Sequence, residues 1–179
     1  MCTHPIRYNT EVIAKLICGI IFRAEDCEIE KVIVEMESLL GRIDFRSPTI
    51  PFNFTDYYTK EMGAKLKREW IGFELPIQME ALKSIKLTTI KIENKFKRPN
   101  GIRTVNIDPG YVTLHNLVLA STKNYSHRIY LGDGIFAEVT LIYKNHKFQP
   151  LAWTYSDYRA NLNVFEEIRN KFKVPCLMV

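Results

Sequence analysis

The segment KLICGIIF, residues 15–22, constrains the fold of this chain more than any other feature of the sequence. After its first lysine it is an unbroken run of apolar residues and one glycine, and it is too short to cross a membrane as a helix. A short, continuous apolar run is typical of a strand that is buried on both faces. The segment therefore predicts such a strand near the start of the chain.

An amphipathic helix is predicted directly after this strand, over residues 26–41. Apolar residues recur at spacings of three and four from Ile29 to Leu40, and Gly41 follows them as a helix-ending glycine. Residues 43–45 then begin a second strand. Strand, helix and strand together predict a β-α-β unit.

The same periodicities predict the remaining elements: strands over 69–75, 104–108 and roughly 112–121, a hairpin over 127–143, a short helix over 59–67, a second long helix over 79–97 and a last helix from about Asn163. The first six main elements follow the order β-α-β-β-α-β, which is the ferredoxin-like arrangement. A chain of 179 residues, 46% of them hydrophobic, suffices for one core. We therefore predict a single α+β domain over residues 1–179, with a mostly antiparallel sheet, a ferredoxin-like first part and an added C-terminal β-hairpin and helix.

The hairpin lies in the segment TKNYSHRIYLGDGIFAEVT, residues 122–140, where apolar and polar residues alternate. A three-residue loop, GDG at 132–134, would bring the apolar positions of the two strands into register and pair Leu131 with Ile135. A two-residue loop would set apolar positions opposite polar ones. The alternation therefore predicts the three-residue loop.

Polar residues crowd the other face of this hairpin. The same register sets Arg128 opposite Glu138 and predicts a cross-strand ion pair between them. Lys123 lies just before the hairpin, and His127 falls on the apolar side, where a histidine is more often structural than catalytic. These residues either form a solvated face or line a site, and what covers the face decides between the two.

Three irregular segments hold further candidates. The aromatic loop SPTIPFNFTDYYTKEMG, residues 47–63, is long and contains two prolines, so it is either packed on itself or functional. NIDPGY, residues 106–111, has the pattern of a type II turn, which either accounts for Asp108 or leaves it free as a base. WTYSDYR, residues 153–159, indicates a turn before the last helix or an aromatic pocket floor, with Asp157 at its centre.

Basic residues concentrate between residues 79 and 103, where seven Lys and Arg face only two acidic residues. Such a helix is usually a solvated face, and its rival interpretation is an RNA-binding surface. RNA readers combine charge with stacking aromatic rings, and only Phe96 is present, at an inner position. The net charge of +5 permits an anionic partner without requiring one.

Several classes of protein leave no trace in the sequence. There is no phosphate loop, no GxGxxG, no HExxH and no GxSxG motif, and the four cysteines are scattered without a CxxC pair. The first residues carry no signal-peptide pattern. We therefore expect a protein of the reducing cytoplasm, without a membrane segment.

Seven segments taken together resemble one functionally uncharacterised bacterial family, a domain of unknown function in proteins of about this length: SPTIPF, FTDYYTKEMG, NIDPGY, LVLASTK, HRIYL, GIFAEVTL and WTYSDY. The resemblance covers residues 14–172. Members of that family are often labelled automatically as GTP-binding proteins, although this chain lacks the phosphate loop and the guanine-recognition motif. The resemblance implies no catalytic residue, but its segments contain the polar residues singled out above.

We predict a cleft, lined by the 122–140 hairpin, that binds a small anionic ligand, phosphorylated and nucleotide-like. The predicted ligand-binding residues are Lys123 and Arg128 to neutralise charge, Glu138 to orient Arg128, Tyr57 and Tyr58 to close the cleft, and Asp157 and His127. Asp108 or Glu61 would be the catalytic base or metal ligand of an enzyme. The sequence names no metal site and no cofactor, and Mg²⁺ is compatible with such a ligand. The alternatives are an RNA-binding module that uses the basic helix 79–98, and a structural or homodimeric protein whose polar strand face is an interface.

Overall fold

Nine strands form one open sheet in residues 12–172, the part of the chain that the computed structural model describes. All eight strand pairs are antiparallel. Five α-helices accompany the sheet in the same part of the chain. The predicted α+β class with a mostly antiparallel sheet is confirmed.

The strands are β1 (Ile13–Arg23), β2 (Ile43–Arg46), β3 (Ile50–Pro51), β4 (Leu66–Gln78), β5 (Val105–Val112), β6 (Asn116–Ser121), β7 (Ile129–Gly132), β8 (Ile135–Lys144) and β9 (Lys147–Pro150). The helices are α1 (Ile29–Leu40), α2 (Thr59–Met62), α3 (Leu82–Lys95), α4 (Ser156–Ala160) and α5 (Leu162–Lys171), and a single 3₁₀ turn, Met79–Ala81, precedes α3.

The strands lie in the order β2-β4-β1-β5-β6-β8-β7, with β3 paired to β4 and β9 paired to β8. β1 lies inside the sheet, between β4 and β5. All of its residues from Ala14 to Phe22 are buried, as the apolar run KLICGIIF predicts. β1 is thus an inner strand of the sheet, with a long partner strand on each side.

The two faces of β1 belong to two different cores. Leu16, Cys18 and Ile20 pack with residues of α1 and α3 on one face. Ile17, two positions from Gly19, packs with residues of α4 and α5 on the other face. Because side chains alternate along a strand, each face receives every second residue.

The first part of the chain keeps the predicted order of elements. β1, α1, β2, β4, α3 and β5 follow one another as strand, helix, strand, strand, helix, strand, with the short β3 and α2 inserted before β4. In space the four main strands lie in the order β2-β4-β1-β5. The ferredoxin-like name for this part stays an interpretation.

The predicted turn at Asp108-Pro109-Gly110 is wrong, because these residues lie inside β5. The pairs between β5 and β6 begin only at Gly110, opposite Leu119, so Pro109 lies where β5 has one partner strand. The backbone of Ile107, two residues earlier and facing the same way, is satisfied by side chains of α3 rather than by a strand. A proline costs no strand-pairing hydrogen bond at such a position.

The predicted three-residue hairpin loop is also wrong, although the predicted register is correct further from the turn. Ile129 pairs with Ala137 and Tyr130 with Phe136, as predicted. Gly132 then pairs with Ile135 across an irregularity at Leu131, which leaves a two-residue turn. Its residues, Asp133 and Gly134, have φ values of 52° and 74°, as a type I′ turn requires. The extra residue is absorbed in the strand and not in the loop.

Other boundaries differ from prediction in length. α2 ends at Met62 and β4 begins at Leu66, so the predicted helix 59–67 is half as long and the third strand longer. β9 was not predicted, and it pairs with β8 through a turn at Asn145 and His146, both with positive φ. These residues lack the glycine that marks most such turns in a sequence.

The sheet splits between β5 and β6. Only three residue pairs join these strands, from Val112–Leu117 to Gly110–Leu119. Beyond them β5 continues beside β1, while β6 continues beside β8 as far as Ser121. The two halves of the sheet therefore diverge and leave a gap, next to which α3 lies.

Candidate functional site

A cavity of about 660 Å³ lies at the split between β5 and β6. The strands contribute its inner surface, and three connecting segments, 52–58, 121–128 and 153–158, contribute residues around it. This volume is within the range of small-molecule sites in proteins. The cavity is therefore large enough for a ligand of nucleotide size.

Arg68 of β4 is the most deeply buried cation of this cavity, with 1% of its surface exposed. Its guanidinium carbon lies 4.9 Å from the ring centre of Trp70 and 5.0 Å from that of Tyr158. Its nearest anion is Asp157, whose Oδ2 lies 3.1 Å from Nη2. Its Nε and Nη1 atoms have no hydrogen-bond partner within residues 12–172. Because a guanidinium stays charged in a protein, Arg68 holds unused capacity for an anion.

Gly19 of β1 makes room for this guanidinium. A β-carbon on Gly19 would lie 2.5 Å from Nη2 of Arg68 and 2.5 Å from the hydroxyl oxygen of Tyr158. Burial raises the pKa of Tyr158, so its hydroxyl keeps its proton and can donate. Gly19 pairs with Trp70 of β4 on one side and with Asp108 of β5 on the other. Arg68, Tyr158 and Asp108 thus surround one small space above the glycine.

Asp108 places a carboxylate on the cavity surface. Its Oδ2 accepts a hydrogen bond of 2.7 Å from the Asn106 side chain, and its Oδ1 lies 3.4 Å from Nζ of Lys86. About a quarter of the Asp108 side chain is exposed, whereas Lys86 is buried. Asp108 therefore keeps accepting capacity toward the cavity.

Two side chains of α3 close the backbone edge of β5 at the same place. Lys86 donates to the carbonyl oxygen of Ile107 at 2.8 Å, and the N–H of Ile107 donates to Oε1 of Glu93 at 2.7 Å. Burial raises the pKa of the Glu93 carboxyl, against the opposing effect of Lys86. The helix thus supplies the hydrogen bonds that β6 would otherwise make with β5.

Arg128 fixes the 121–128 segment against β8. Its Nε donates to Glu138 at 2.6 Å, its Nη1 donates to the hydroxyl of Ser121 and the carbonyl of Lys123, and its Nη2 donates to the hydroxyl of Tyr155 at 2.6 Å. The predicted contact between Arg128 and Glu138 is therefore present. Glu138 is 2% exposed, so the pair is buried. Burial also raises the pKa of Tyr155 to about 12.

His127 lies in a row of stacked rings. Its ring is nearly parallel to that of Tyr125, at 6.1 Å, and to that of Trp153, at 5.1 Å. Its Nε2 lies 3.1 Å from Oε2 of Glu138. The expectation that His127 falls on the apolar side of the hairpin is wrong, because His127 precedes the first paired residue of β7 and turns toward Glu138.

Lys123 and Tyr57 meet at the rim of the cavity. The Lys123 ammonium lies 3.7 Å from the ring centre of Tyr57, and 56% of Tyr57 is exposed. Tyr57 packs edge-on against Tyr58, whose pKa burial raises. No acidic side chain of residues 12–172 forms an ion pair with Lys123. Its charge is available to a ligand.

Glu61 does not belong to this cavity. Both of its oxygens accept hydrogen bonds of 2.6 Å from the Arg103 guanidinium, which lowers the pKa of the Glu61 carboxyl. Arg103, and not Glu61, lines the cavity. Glu61 is thus the one predicted site residue that does not line the cavity, and its carboxylate is paired with Arg103, which does.

The structure brings the other eight predicted site residues together around one cavity: Asp108, Lys123, Arg128, Glu138, Tyr57, Tyr58, Asp157 and His127. Sequence analysis missed Arg68, Lys86 and Glu93. Arg68 stands at the start of a strand among other charged residues, and no local pattern marks it as buried. Lys86 lies within the basic helix, whose other lysines, Lys83, Lys91 and Lys95, are half-buried or exposed.

The basic helix presents fewer unpaired positive charges than its composition indicates. Lys86 is buried, Lys83 is 2.8 Å from Asp133 and Lys95 is 2.6 Å from Glu35. Three of its lysines are thus engaged within the chain. In residues 12–172 no group of three or more His, Cys, Asp and Glu side chains is placed to hold a metal ion.

The fold and the cavity define a class of α+β protein in which an antiparallel sheet splits to hold a polar, partly aromatic cavity. Residues 12–172 match the family described as a domain of unknown function, DUF4416, and the chain belongs to this family. No curated protein and no solved structure gave a significant match to the chain. None of the helices in residues 12–172 is long and apolar enough to cross a membrane.

Proposed function

We propose that this protein binds a small anionic ligand, phosphorylated and of nucleotide size, in the cavity at the split of the sheet. The observation that carries the proposal is Arg68, which lines the 660 Å³ cavity and whose buried guanidinium has two nitrogens without a hydrogen-bond partner in residues 12–172. Burying a cation that is only partly paired is costly, and an anionic ligand offsets that cost. Planar bidentate contact with phosphate is what a guanidinium provides best.

The rim supplies a second positive charge. Lys123 has its ammonium over Tyr57 and can turn to a ligand while the ring closes over it. Arg128 has a different part from the predicted one, because four of its five N–H groups are already used within the chain. In this proposal Arg128 holds the 121–128 segment in place, and Glu138, which accepts from its Nε, orients it.

Aromatic side chains make the remaining surface suitable for a flat ring. Phe54, Tyr57, Tyr58, Trp153 and Tyr155 all line the cavity. Nucleic-acid bases of every type stack on such side chains, because each base has a flat π-face. A ligand with a planar ring and a phosphate would satisfy both parts of the surface.

Catalysis is a narrower form of the proposal. Asp108 is the residue placed to accept a proton or a hydrogen bond from the ligand, since it is partly exposed in the cavity. Glu61 has no part in it. The location that we propose is the reducing cytoplasm, in agreement with the buried thiols of Cys18 and Cys27.

The two alternative functions have less support. An RNA surface on α3 would rest on Lys83, Lys91 and Lys95, and two of these are engaged with acidic residues. An interface on the polar face of the hairpin would need Arg128 and Glu138 to be accessible, whereas both side chains are at most 3% exposed. RNA retention that falls when the three lysines are neutralised would revive the first alternative.

A thermal-shift screen of nucleotides and phosphosugars, with and without Mg²⁺, tests the proposal. A ligand at about 100 times its Kd adds about 2.7 kcal/mol to the free energy of unfolding. For a chain of this size that corresponds to a rise in Tm of about 5–10 °C. We expect such a rise for the wild type and for Arg42→Met, a matched change at an exposed arginine, but not for Arg68→Met.

A second pair of variants keeps the test valid if Arg68→Met unfolds. Lys123→Gln removes the charge at the rim, and Lys144→Gln removes one from an exposed position elsewhere. We expect the first to weaken binding several-fold and the second to leave it unchanged. The absence of any shift across the screen, or equal shifts in all variants, would overturn the proposal.

A further inference from the structure

We infer that the ligand carries one phosphate group and not a diphosphate or triphosphate chain, with a hydrogen-bond donor near that group. This inference rests on the proposed function and narrows it to a substrate class. It follows from how the charges of the cavity are already paired. The phosphate belongs at Arg68 and the donor at Asp108.

The cavity lining has little positive charge to spare. Its five cations are Arg68, Lys86, Arg103, Lys123 and Arg128, and its four anions are Glu93, Asp108, Glu138 and Asp157. The lining therefore carries only one more basic than acidic residue. Sites for polyphosphates combine several free cations, or a metal ion, with backbone N–H groups.

Most of these cations are committed to partners. Arg128 is bound to Glu138, Lys86 to the backbone of Ile107, and Arg103 to Glu61. Among the lining cations in residues 12–172, Arg68, with two unpartnered nitrogens, and Lys123, at the rim without an ion pair, keep the most donor capacity for a ligand. Two such cations are fewer than a diphosphate or triphosphate chain would need.

Two acidic residues lie beside the Arg68 guanidinium, so that each added phosphate would bring more negative charge close to a carboxylate. Asp157 is 3.1 Å from the Arg68 guanidinium, and Asp108 occupies the strand position next to Gly19, over which that guanidinium lies. A second or third phosphate would meet these carboxylates, and like charges placed side by side oppose binding. No metal-binding group of three or more ligands exists in the described part of the chain to offset them.

Asp108 also explains why the ligand needs a donor. Its carboxylate is partly exposed in the cavity and, within residues 12–172, accepts only from Asn106 and, at 3.4 Å, from Lys86. A hydroxyl or amino group of the ligand would use the remaining accepting positions. A carboxylate beside an anion is unfavourable unless such a group lies between them.

Isothermal titration with a nucleoside 5′-monophosphate, the corresponding triphosphate and the unphosphorylated nucleoside tests this inference. We expect the monophosphate to bind about tenfold or more tightly than either of the other two compounds, because the triphosphate adds unpaired charge and the nucleoside lacks the group for Arg68. Asp108→Asn should reduce the ratio by which the monophosphate binds more tightly than the triphosphate. Asp133→Asn, a matched change in the exposed hairpin turn, should leave that preference unchanged.

The outcomes separate this inference from the proposed function. Equal or tighter binding of the triphosphate to the wild type overturns the single-phosphate inference while the proposed function stands. A preference for the monophosphate that Asp108→Asn leaves unaltered overturns the role of Asp108. Failure of every phosphorylated compound to bind, in this titration and in the thermal-shift screen, overturns the proposed function and the inference together.

Discussion

Arg68 and Asp157 form a buried pair that is incomplete in a specific way. The two side chains are 1% and 8% exposed, and the 3.1 Å contact leaves two guanidinium nitrogens without partners in the described residues. Attraction within a buried pair repays the loss of hydration only when both groups are fully hydrogen-bonded. The pair is therefore a poor source of stability by itself, which is consistent with the binding role that we propose for Arg68.

A double-mutant cycle on these two residues tests that explanation. Asp157→Asn alone leaves Arg68 without its counter-charge, and we expect it to lower the free energy of unfolding by about 3 kcal/mol. Arg68→Met together with Asp157→Asn should return the protein to within about 1 kcal/mol of the wild type, because no buried charge then lacks a partner. Urea unfolding measures both values. Strictly additive losses would contradict a charge coupling between the two residues.

Some residues of the candidate site could be predicted from the sequence, and others could not. Arg128 and Glu138 could be paired because alternation along a hairpin fixes which residues face each other. Arg68 could not be found, since its burial depends on Gly19 in β1 and Tyr158 in α4, which are distant in the sequence. Local pattern predicts partners within one hairpin and is silent on partners from separate elements.

At the scale of elements, β5 shows where a local rule fails. The pattern Asp-Pro-Gly predicts a turn, yet the chain stays extended because β1 pairs with β5 from Val105 to Val112. Lys86 and Glu93 of α3 then satisfy the free edge at Ile107. Tertiary contacts outweighed turn propensity at a place where a missing N–H has no cost.

The α3 side chains at this edge make stability depend on pH. The pKa of Glu93 is raised above 4.5 by burial, with Lys86 and Arg103 opposing the effect and Asp108 adding to it. A folded-state pKa above the unfolded one means that the folded protein holds the proton more tightly. The contribution of Glu93 to stability is thus fully present below the unfolded pKa and is lost as the pH rises through the folded pKa.

Glu93→Gln removes this titration while keeping an oxygen that can accept from Ile107. We expect the free energy of unfolding of the wild type, relative to Glu93→Gln, to be highest at acidic pH, below the unfolded pKa of the carboxyl, and to fall as the pH rises through the raised folded pKa. Unfolding of both proteins by guanidinium chloride at a series of pH values measures this difference in the free energy of unfolding. A difference that is constant or grows with pH would show that burial does not govern this carboxyl.

At the scale of the whole molecule, the cavity is assembled from segments far apart in the chain. Segments 52–58, 121–128 and 153–158 meet around strands that belong to two halves of one split sheet. Sequence analysis predicted most of the polar cavity residues in these segments, because charged and aromatic residues are conspicuous in loops. Sequence analysis could not predict the split of the sheet, because the split depends on where the pairing of β6 with β5 ends.

Such an assembly predicts that one ligand orders all three segments at once. Hydrogen–deuterium exchange with the nucleoside 5′-monophosphate should slow amide exchange in 52–58, 121–128 and 153–158 together, because loops that contact a ligand open less often. α1, which packs in the core on the opposite face of β1, is the internal reference and should not change. Arg68→Met should abolish the protection in all three segments. Protection confined to one segment, or spread equally over α1, would show that the cavity does not act as one site.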